Sequence, residues 1–250
     1  MFKDKPRRIV GIIEARMRST RLPGKVMKPI LGEPMLYRMI ERLRHCSCLD
    51  DIWVATTEHE SCKPIVDLTA RIGVGCFQGS EEDVMDRVLQ TAKISEADIL
   101  VELTGDCPLL DPMVVDRVVA TYLANNVDYC SNALQEDYPG GMDVQVFSTR
   151  IIEEVSELTS DPVDREHVSL YIYEHPDRYR ILDIKDDPSS NLKGIRLTVD
   201  TEADFQLVSN VFEELYSKNP VFSLEDIFYL FDQKPKLRSV NNHIQQKHVR

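Results

Sequence analysis

The chain has 250 residues, 42% hydrophobic and 29% charged, enough for one large core or two modest ones. Its 30 basic and 42 acidic side chains give a formal charge of −12, which argues against general nucleic-acid binding but not against one small anionic ligand. No apolar run approaches the roughly 20 residues that span a bilayer, and MFKDKPRR is not followed by a signal-peptide core, so a cytoplasmic protein without a membrane partner is expected.

The first two thirds alternate short apolar runs with amphipathic segments. RIVGII (from Arg8), DIWVAT (from Asp51), GVGCFQ (from Gly73), ADILVEL (from Ala97) and VDYCSN (from Val127) read as strands. Between them, PMLYRMIERLRHC, CKPIVDLTARI, EEDVMDRVLQTAKI and PMVVDRVVATYLANN carry helical periodicity; in the first, Met35, Leu36, Met39, Ile40 and Leu43 form one apolar stripe. This alternation predicts an α/β fold whose mostly parallel sheet is covered on both faces, with right-handed crossovers. The six cysteines are scattered, and Cys46-x-Cys48 lacks zinc-knuckle spacing, so free thiols in a reducing compartment are expected.

After residue 136 the rhythm changes. EDYPGGMDVQVFS reads as a turn and a strand, and SDPVDREHVSLYIYEHP as one helix capped by Ser160 or Asp161 with Pro162 in its first turn. RYRILDIK reads as a strand, DDPSSNLKG as a loop, and IRLTVD as a further strand. TEADFQLVSNVFEELYS reads as a helix capped by Thr201 or Asp200, and SLEDIFYLFDQ as the last helix. We expect a single domain over residues 1–236, with a hairpin-and-helix region inserted near 137–190 and a polar tail over 237–250.

The stretch EARMRSTRLPGKVMKPILGEP follows the first strand and puts five cations, Arg16, Arg18, Arg21, Lys25 and Lys28, in an otherwise acidic chain. In an open parallel sheet, ligands bind beyond the carboxyl ends of the strands. Cations this dense suit a polyphosphate, although a solvated basic loop has the same composition. Two later strands each deliver an acid to the same edge, Asp106 in LTGDCPLLDP and Asp200 in LTVDTEADF. Singly they read as a turn former and a helix cap. With the cationic loop they outline a Mg²⁺-nucleotide site, because Mg²⁺ takes one or two carboxylates plus phosphate oxygens and water.

EARMRSTRLPGKVMKPILGEPML resembles the signature of the cytidylyltransferases that activate acidic sugars as CMP-sugars, the acylneuraminate and 3-deoxy-manno-octulosonate type. GDCPLLDP and LTVDTEADFQLV match that family's later blocks in order, while FQGSEEDVMDRVLQTA and DREHVSLYIY are most similar to the group named for spore-coat polysaccharide biosynthesis protein F. The resemblance implies a Rossmann-like, GT-A-like nucleotidyltransferase fold of three layers, Mg²⁺ dependence, and usually a homodimer. It implies transfer of CMP from CTP to a sugar-like acceptor for surface polysaccharide or glycan synthesis, with release of pyrophosphate.

By motif position it places Ala15, Arg16, Ser19, Arg21, Lys25, Gly105 and Asp106 at the nucleotide, and assigns the catalytic work to Arg16, Arg21, Lys25, Asp106 and Asp200. Asp106 and Asp200 would hold the metal. Asp86, Arg87, Arg165 and His167 are expected near the acceptor, as are Tyr138 and Asp143, which flank the Gly-Gly turn; for His167, hydrogen bonding is favoured over a general-base role. Gln78 and Gln145 stand where the group carries an arginine and an acid, which bears on the acceptor's identity. Competing readings are CMP transfer to a small phosphate or phosphonate, and a non-catalytic nucleotide-binding regulator. The first related family opens with a glycine-rich loop absent here, and a regulator has no need of both aspartates.

Overall fold

The computed structural model describes residues 7–135, 137–185 and 194–245. The first strand, β1 (Ile9–Glu14), leads through the cationic loop and the two-residue strands β2 (Pro29–Ile30) and β3 (Glu33–Pro34) into helix α1 (Met35–Leu43). Then follow β4 (Asp51–Thr57), α2 (Lys63–Ile72), β5 (Gly75–Gly79), α3 (Val84–Ile94), β6 (Ile99–Thr104), α4 (Pro112–Ala124) and β7 (Tyr129–Ser131). Thereafter come β8 (Gln145–Ser148), α5 (Thr149–Leu158), α6 (Pro162–Glu166), α7 (Leu170–Glu174), β9 (Ile181–Asp183), α8 (Glu202–Leu215), α9 (Leu224–Gln233) and α10 (Pro235–Arg238).

Seven strands form one sheet in the order β5-β4-β1-β6-β8-β7-β9. Among these seven, β8 alone runs against the rest, pairing antiparallel with both β6 and β7. The alternating side chains of the strands feed two apolar layers. Ile9 and Ile13 of β1, with Ile99, Val101 and Leu103 of β6, join the layer under α1, α4 and α8. Val10 and Ile12, with Leu100, join the layer under α3 and α5. Period-two alternation therefore sends the next residues of these strands, Glu14 and Glu102, to the α3 face. The predicted stripe of α1 is buried at all five positions, each such side chain contributing about 1.5–3 kcal/mol. All six cysteines are free thiols.

The departures from expectation lie after residue 136. The helix expected over SDPVDREHVSLYIYEHP is two short helices, α6 and α7, with Asp161 capping the first. His167 leaves helical geometry at φ −109°, ψ 77°, which turns Val168 and Ser169 into the interior, where the Ser169 hydroxyl donates to Gln145 Oε1. Helix α5 was not anticipated. IRLTVD forms no ladder among the described residues and makes a single bridge, Gly140 to Arg196; the next residue, Gly141, leaves extended geometry at φ +100° while staying packed on Leu197 and Thr198. The expected loop DDPSSNLKG lies outside the described residues except for Gly194. In the tail, described to residue 245, α10 forms and Asn241 is buried. Among the described residues no helix is long and apolar enough to cross a membrane.

Candidate active site

The carboxyl ends of β1 and β6 open onto a cavity of about 580 Å³. Gly24 shapes the loop on its rim: at φ +72° it takes a left-handed conformation that favours glycine, its amide donates to the Met17 carbonyl at 2.8 Å, and the chain turns to send Lys25 inward. Gly105 closes the loop after β6 onto the end of β1. Its amide donates to the Glu14 carbonyl at 2.8 Å, and an added Cβ would meet that oxygen at 2.9 Å.

Lys25, 8% exposed, is the centre of the charge arrangement. Its ammonium donates to Asp106 Oδ2 at 3.0 Å, Asp200 Oδ1 at 2.9 Å and the Val199 carbonyl at 2.7 Å. Burial alone would lower the Lys25 pKa, but the two carboxylates outweigh it and the net shift is upward. Asp200 also pairs with Arg21 at 2.8 Å and with Arg196. Burial pushes its pKa up, yet Lys25, Arg196 and Arg21 hold it below the usual carboxylate value. Asp200 reaches Asp106 because the segment before it is pinned across the cavity: the Leu197 amide donates to the Gly140 carbonyl at 2.7 Å and the Val199 amide to the Asp106 carbonyl at 2.8 Å.

Every position expected at the nucleotide lines this cavity: Ala15, Arg16, Ser19, Arg21, Lys25, Gly105 and Asp106, together with Asp200. The other two loop cations point elsewhere, Arg18 to Glu81 at 3.1 Å and Lys28 to Glu202 at 2.6 Å. The acceptor assignments divide. Arg87, Asp143 and His167 line the cavity. Asp86, Tyr138 and Arg165 do not, and each is engaged elsewhere. Asp86 accepts from Gln90 at 3.0 Å on the surface of α3, Tyr138 accepts from Arg117 at 2.8 Å, and Arg165 is clamped on the Asp83 carboxylate at 2.9 and 3.0 Å. From the same DREH block, Glu166 lines the cavity instead and stands 3.9 Å from Arg16.

Sequence reasoning overlooked Glu14. It lines the cavity, and its carboxyl interacts with that of Glu102 on the neighbouring strand. One oxygen of each is buried without a hydrogen-bond partner among the described residues. Burial pushes Glu14 up to about 7 although Arg87 pulls it down; burial, then the Glu14 charge, raises Glu102 well above the carboxylate range. An acid closing an otherwise apolar strand was the available signal. Gln145, the register partner of Glu102, accepts from the Tyr129 hydroxyl at 2.6 Å and from Ser169. A glutamate there would add a third carboxyl to the cluster, and the neutral amide avoids that cost.

Among the described residues, no group of three or more His, Cys, Asp or Glu side chains gathers to hold a metal. Asp106 and Asp200 nevertheless converge on one cation, the Lys25 ammonium, and this pair of hard oxygen donors beside a cationic loop fits Mg²⁺ completed by phosphate and water.

Comparison with known proteins agrees with this architecture. The family described as Cytidylyltransferase matches residues 10–243. The chain is 34% identical to an uncharacterized protein of Methanocaldococcus jannaschii, over 97% of this chain and 98% of that one. It is 29% identical to the spore coat polysaccharide biosynthesis protein SpsF of Bacillus subtilis, covering 91% and 95%. A cytidylyltransferase structure from Leptospira borgpetersenii superposes with a TM-score of 0.88 at 29% identity, covering 97% and 100%. CMP:2-keto-3-deoxy-manno-octonic acid synthetase, solved with CTP, shares the fold at a TM-score of 0.62 and 19% identity, covering 83% and 99%. With the cationic loop, the two carboxylates and the mostly parallel sheet in the arrangement described, the chain belongs to the cytidylyltransferase family.

Proposed function

We propose that this cytidylyltransferase transfers CMP from CTP to a hydroxyl of an acidic sugar, releasing pyrophosphate, in the synthesis of a surface polysaccharide or glycan. The observation that carries the reading is the convergence of Asp106 and Asp200 on the buried Lys25 ammonium at 3.0 and 2.9 Å. A cation position held by two carboxylates next to further loop cations suits a metal-bound triphosphate better than a neutral ligand. The acidic sugar is supported by likeness to the octonic acid synthetase, and the polysaccharide role by likeness to SpsF.

The acceptor oxygen bonds to the α-phosphorus as the bond from that phosphorus to the leaving oxygen breaks. Pyrophosphate carries away the electron pair, and the hydroxyl proton passes to solvent. Arg16, Arg21 and Lys25 hold the triphosphate and stabilise charge growing on its oxygens, so positioning and electrostatics supply most of the rate. Asp106 and Asp200 would hold Mg²⁺, which when bound neutralises phosphate charge. Arg87, Asp143 and His167, at the cavity wall, are assigned to the acceptor. We place a homodimer contact in the region 137–190, of which 186–190 lie outside the described residues, and the enzyme in the cytoplasm.

A pyrophosphate-release screen with CTP and Mg²⁺ tests the reading, offering acidic nonulosonates, octulosonates, neutral sugars and small phosphonates. Release is expected with an acidic sugar. Release with a phosphonate alone would move the acceptor class, and tighter calorimetric binding of ATP or GTP than of CTP would overturn the nucleotide.

A further inference from the structure

Behind Asp200, on the side away from the cavity, lies a buried polar network that the proposed reaction does not use. Its hub is Asp204 in the first turn of α8, fully buried. Asp204 Oδ2 accepts from the Asp200 amide at 3.0 Å, the Thr201 amide at 2.9 Å and the Thr201 hydroxyl at 2.9 Å. Its Oδ1 accepts from Arg196 Nε at 3.0 Å and Asn241 Nδ2 at 2.8 Å. A helix cap needs only the bonds to Thr201. The remaining bonds tie the cap to the Asp200 amide, to Arg196 and to the distant Asn241. Asn241 is 3% exposed, lies 37 residues beyond Asp204 in the chain, and also donates to the Arg196 carbonyl at 3.0 Å.

The consequence falls on Asp200. Arg196 holds one of its oxygens, Oδ2, and leaves the other, Oδ1, facing Lys25 and Arg21. A guanidinium beside a lone carboxylate ordinarily takes both oxygens with two parallel N–H bonds. Here Asp204 occupies Nε, so the fork is divided between two acids. When Asp204 no longer engages Nε, that edge of the guanidinium can close on both oxygens of Asp200 and withdraw Oδ1 from the cavity.

We propose that Asn241 is a positioning residue for the reaction: by anchoring Asp204 and the Arg196 backbone, it keeps Arg196 divided and leaves Asp200 Oδ1 available to the cation. The segment after α10 thereby becomes part of the active-site scaffold. The inference rests on the reading of Asp200 as a metal ligand, and the experiment separates the two.

The affinity of the full-length protein for CTP is measured by calorimetry across a Mg²⁺ titration, in wild type, Asn241→Leu, Arg196→Lys and Asp200→Asn. Asn241→Leu keeps the volume and removes both donors; Arg196→Lys keeps the charge and removes the fork. Partners that orient metal ligands typically change metal affinity about 10–100-fold when removed. Each of these two variants is expected to raise the Mg²⁺ midpoint about tenfold, with wild-type CTP affinity regained at saturating Mg²⁺. Asp200→Asn is expected to lose the Mg²⁺ dependence. If Asp200→Asn loses it while Asn241→Leu and Arg196→Lys, folded by circular dichroism, keep midpoints within twofold of wild type, the positioning role is wrong and the metal site stands. Should Asn241→Leu fail to fold, Asn241→Ser, which shortens the side chain and removes the amide donors, decides by the same criterion. Full Mg²⁺ dependence in Asp200→Asn overturns the metal reading itself.

Discussion

Two acid pairs serve the same cavity and solve the cost of burial in opposite ways. Asp106, just past the end of β6, and Asp200, just before α8, meet at a common cation, Lys25, with Arg21 and Arg196 behind. Glu14 and Glu102 come from neighbouring strands, β1 and β6, and meet with no cation between them; each keeps a buried oxygen without a donor. The first pair keeps Asp200 ionised beside Lys25, Arg21 and Arg196. The second favours a shared proton, since two carboxylate oxygens in contact are both acceptors, with Arg87 drawing Glu14 back toward ionisation. One pair is therefore built to handle charge, and the other to hold the floor neutral beside it.

Four experiments break or sharpen that contrast. The largest effect is expected from Asp200→Asn or Asp106→Asn, which preserve shape and remove a charge that the proposed metal site requires. Turnover should fall about 10³-fold, because a metal's charge stabilisation is worth several kcal/mol. Steady-state pyrophosphate release at unsaturating Mg²⁺ reads it, and full activity in either variant would remove that residue from the metal site.

Lys25→Ala should cost about 2–4 kcal/mol of transition-state stabilisation. It should lower kcat strongly, whereas Arg21→Ala should weaken both the rate and nucleotide binding. Unchanged kcat in Lys25→Ala would show that its ammonium serves only to neutralise the two aspartates.

The glutamate pair should appear in stability rather than rate. Glu14 is pushed up to about 7 by burial, from about 4.3 in an unfolded chain. Between those values the folded state binds more protons than the unfolded one, so stability falls as pH rises through the window. The total loss should be roughly 3–4 kcal/mol. Chemical denaturation at pH 5, 6, 7 and 8 measures the slope, and Glu102→Gln should flatten it. A wild-type stability that is flat or rising over this range would mean the two acids do not share a proton.

The smallest effect is expected from Arg18→Ala. Its side chain is 59% exposed and pairs with Glu81, so the loss should stay well under ~1 kcal/mol in kcat/KM. Damage comparable to Lys25→Ala would make the whole loop a diffuse electrostatic funnel.

The second comparison, between the two halves of the chain, explains what was legible. Up to β7, strands and helices follow from local periodicity, because each apolar stripe is continuous in sequence and packs against its neighbour in the sheet. From residue 137 onward, position depends on partners far along the chain. IRLTVD looks like a strand because it is apolar and β-branched, yet its neighbour is a Gly-Gly turn with which it makes a single bridge. DREH looks like one face of one helix, yet Val168 and Ser169 turn inward and split it, sending Arg165 to Asp83 and leaving Glu166 and His167 at the cavity.

By itself the sequence determined the α/β alternation, the cationic loop after the first strand, and the acid that follows β6. These are local signals: a period of two or 3.6, a glycine where a left-handed turn is required, a charge where an apolar run stops. Only the tertiary structure decided that Glu166 and not Arg165 faces the cavity, that Glu14 and Glu102 meet on the α3 face, and that Asn241 reaches Asp204 from far along the chain. Those outcomes depend on register between strands and on which buried polar group is nearest in space. Neither can be read along a single strand, because a buried donor or acceptor is satisfied by whatever partner the fold brings within about 3 Å.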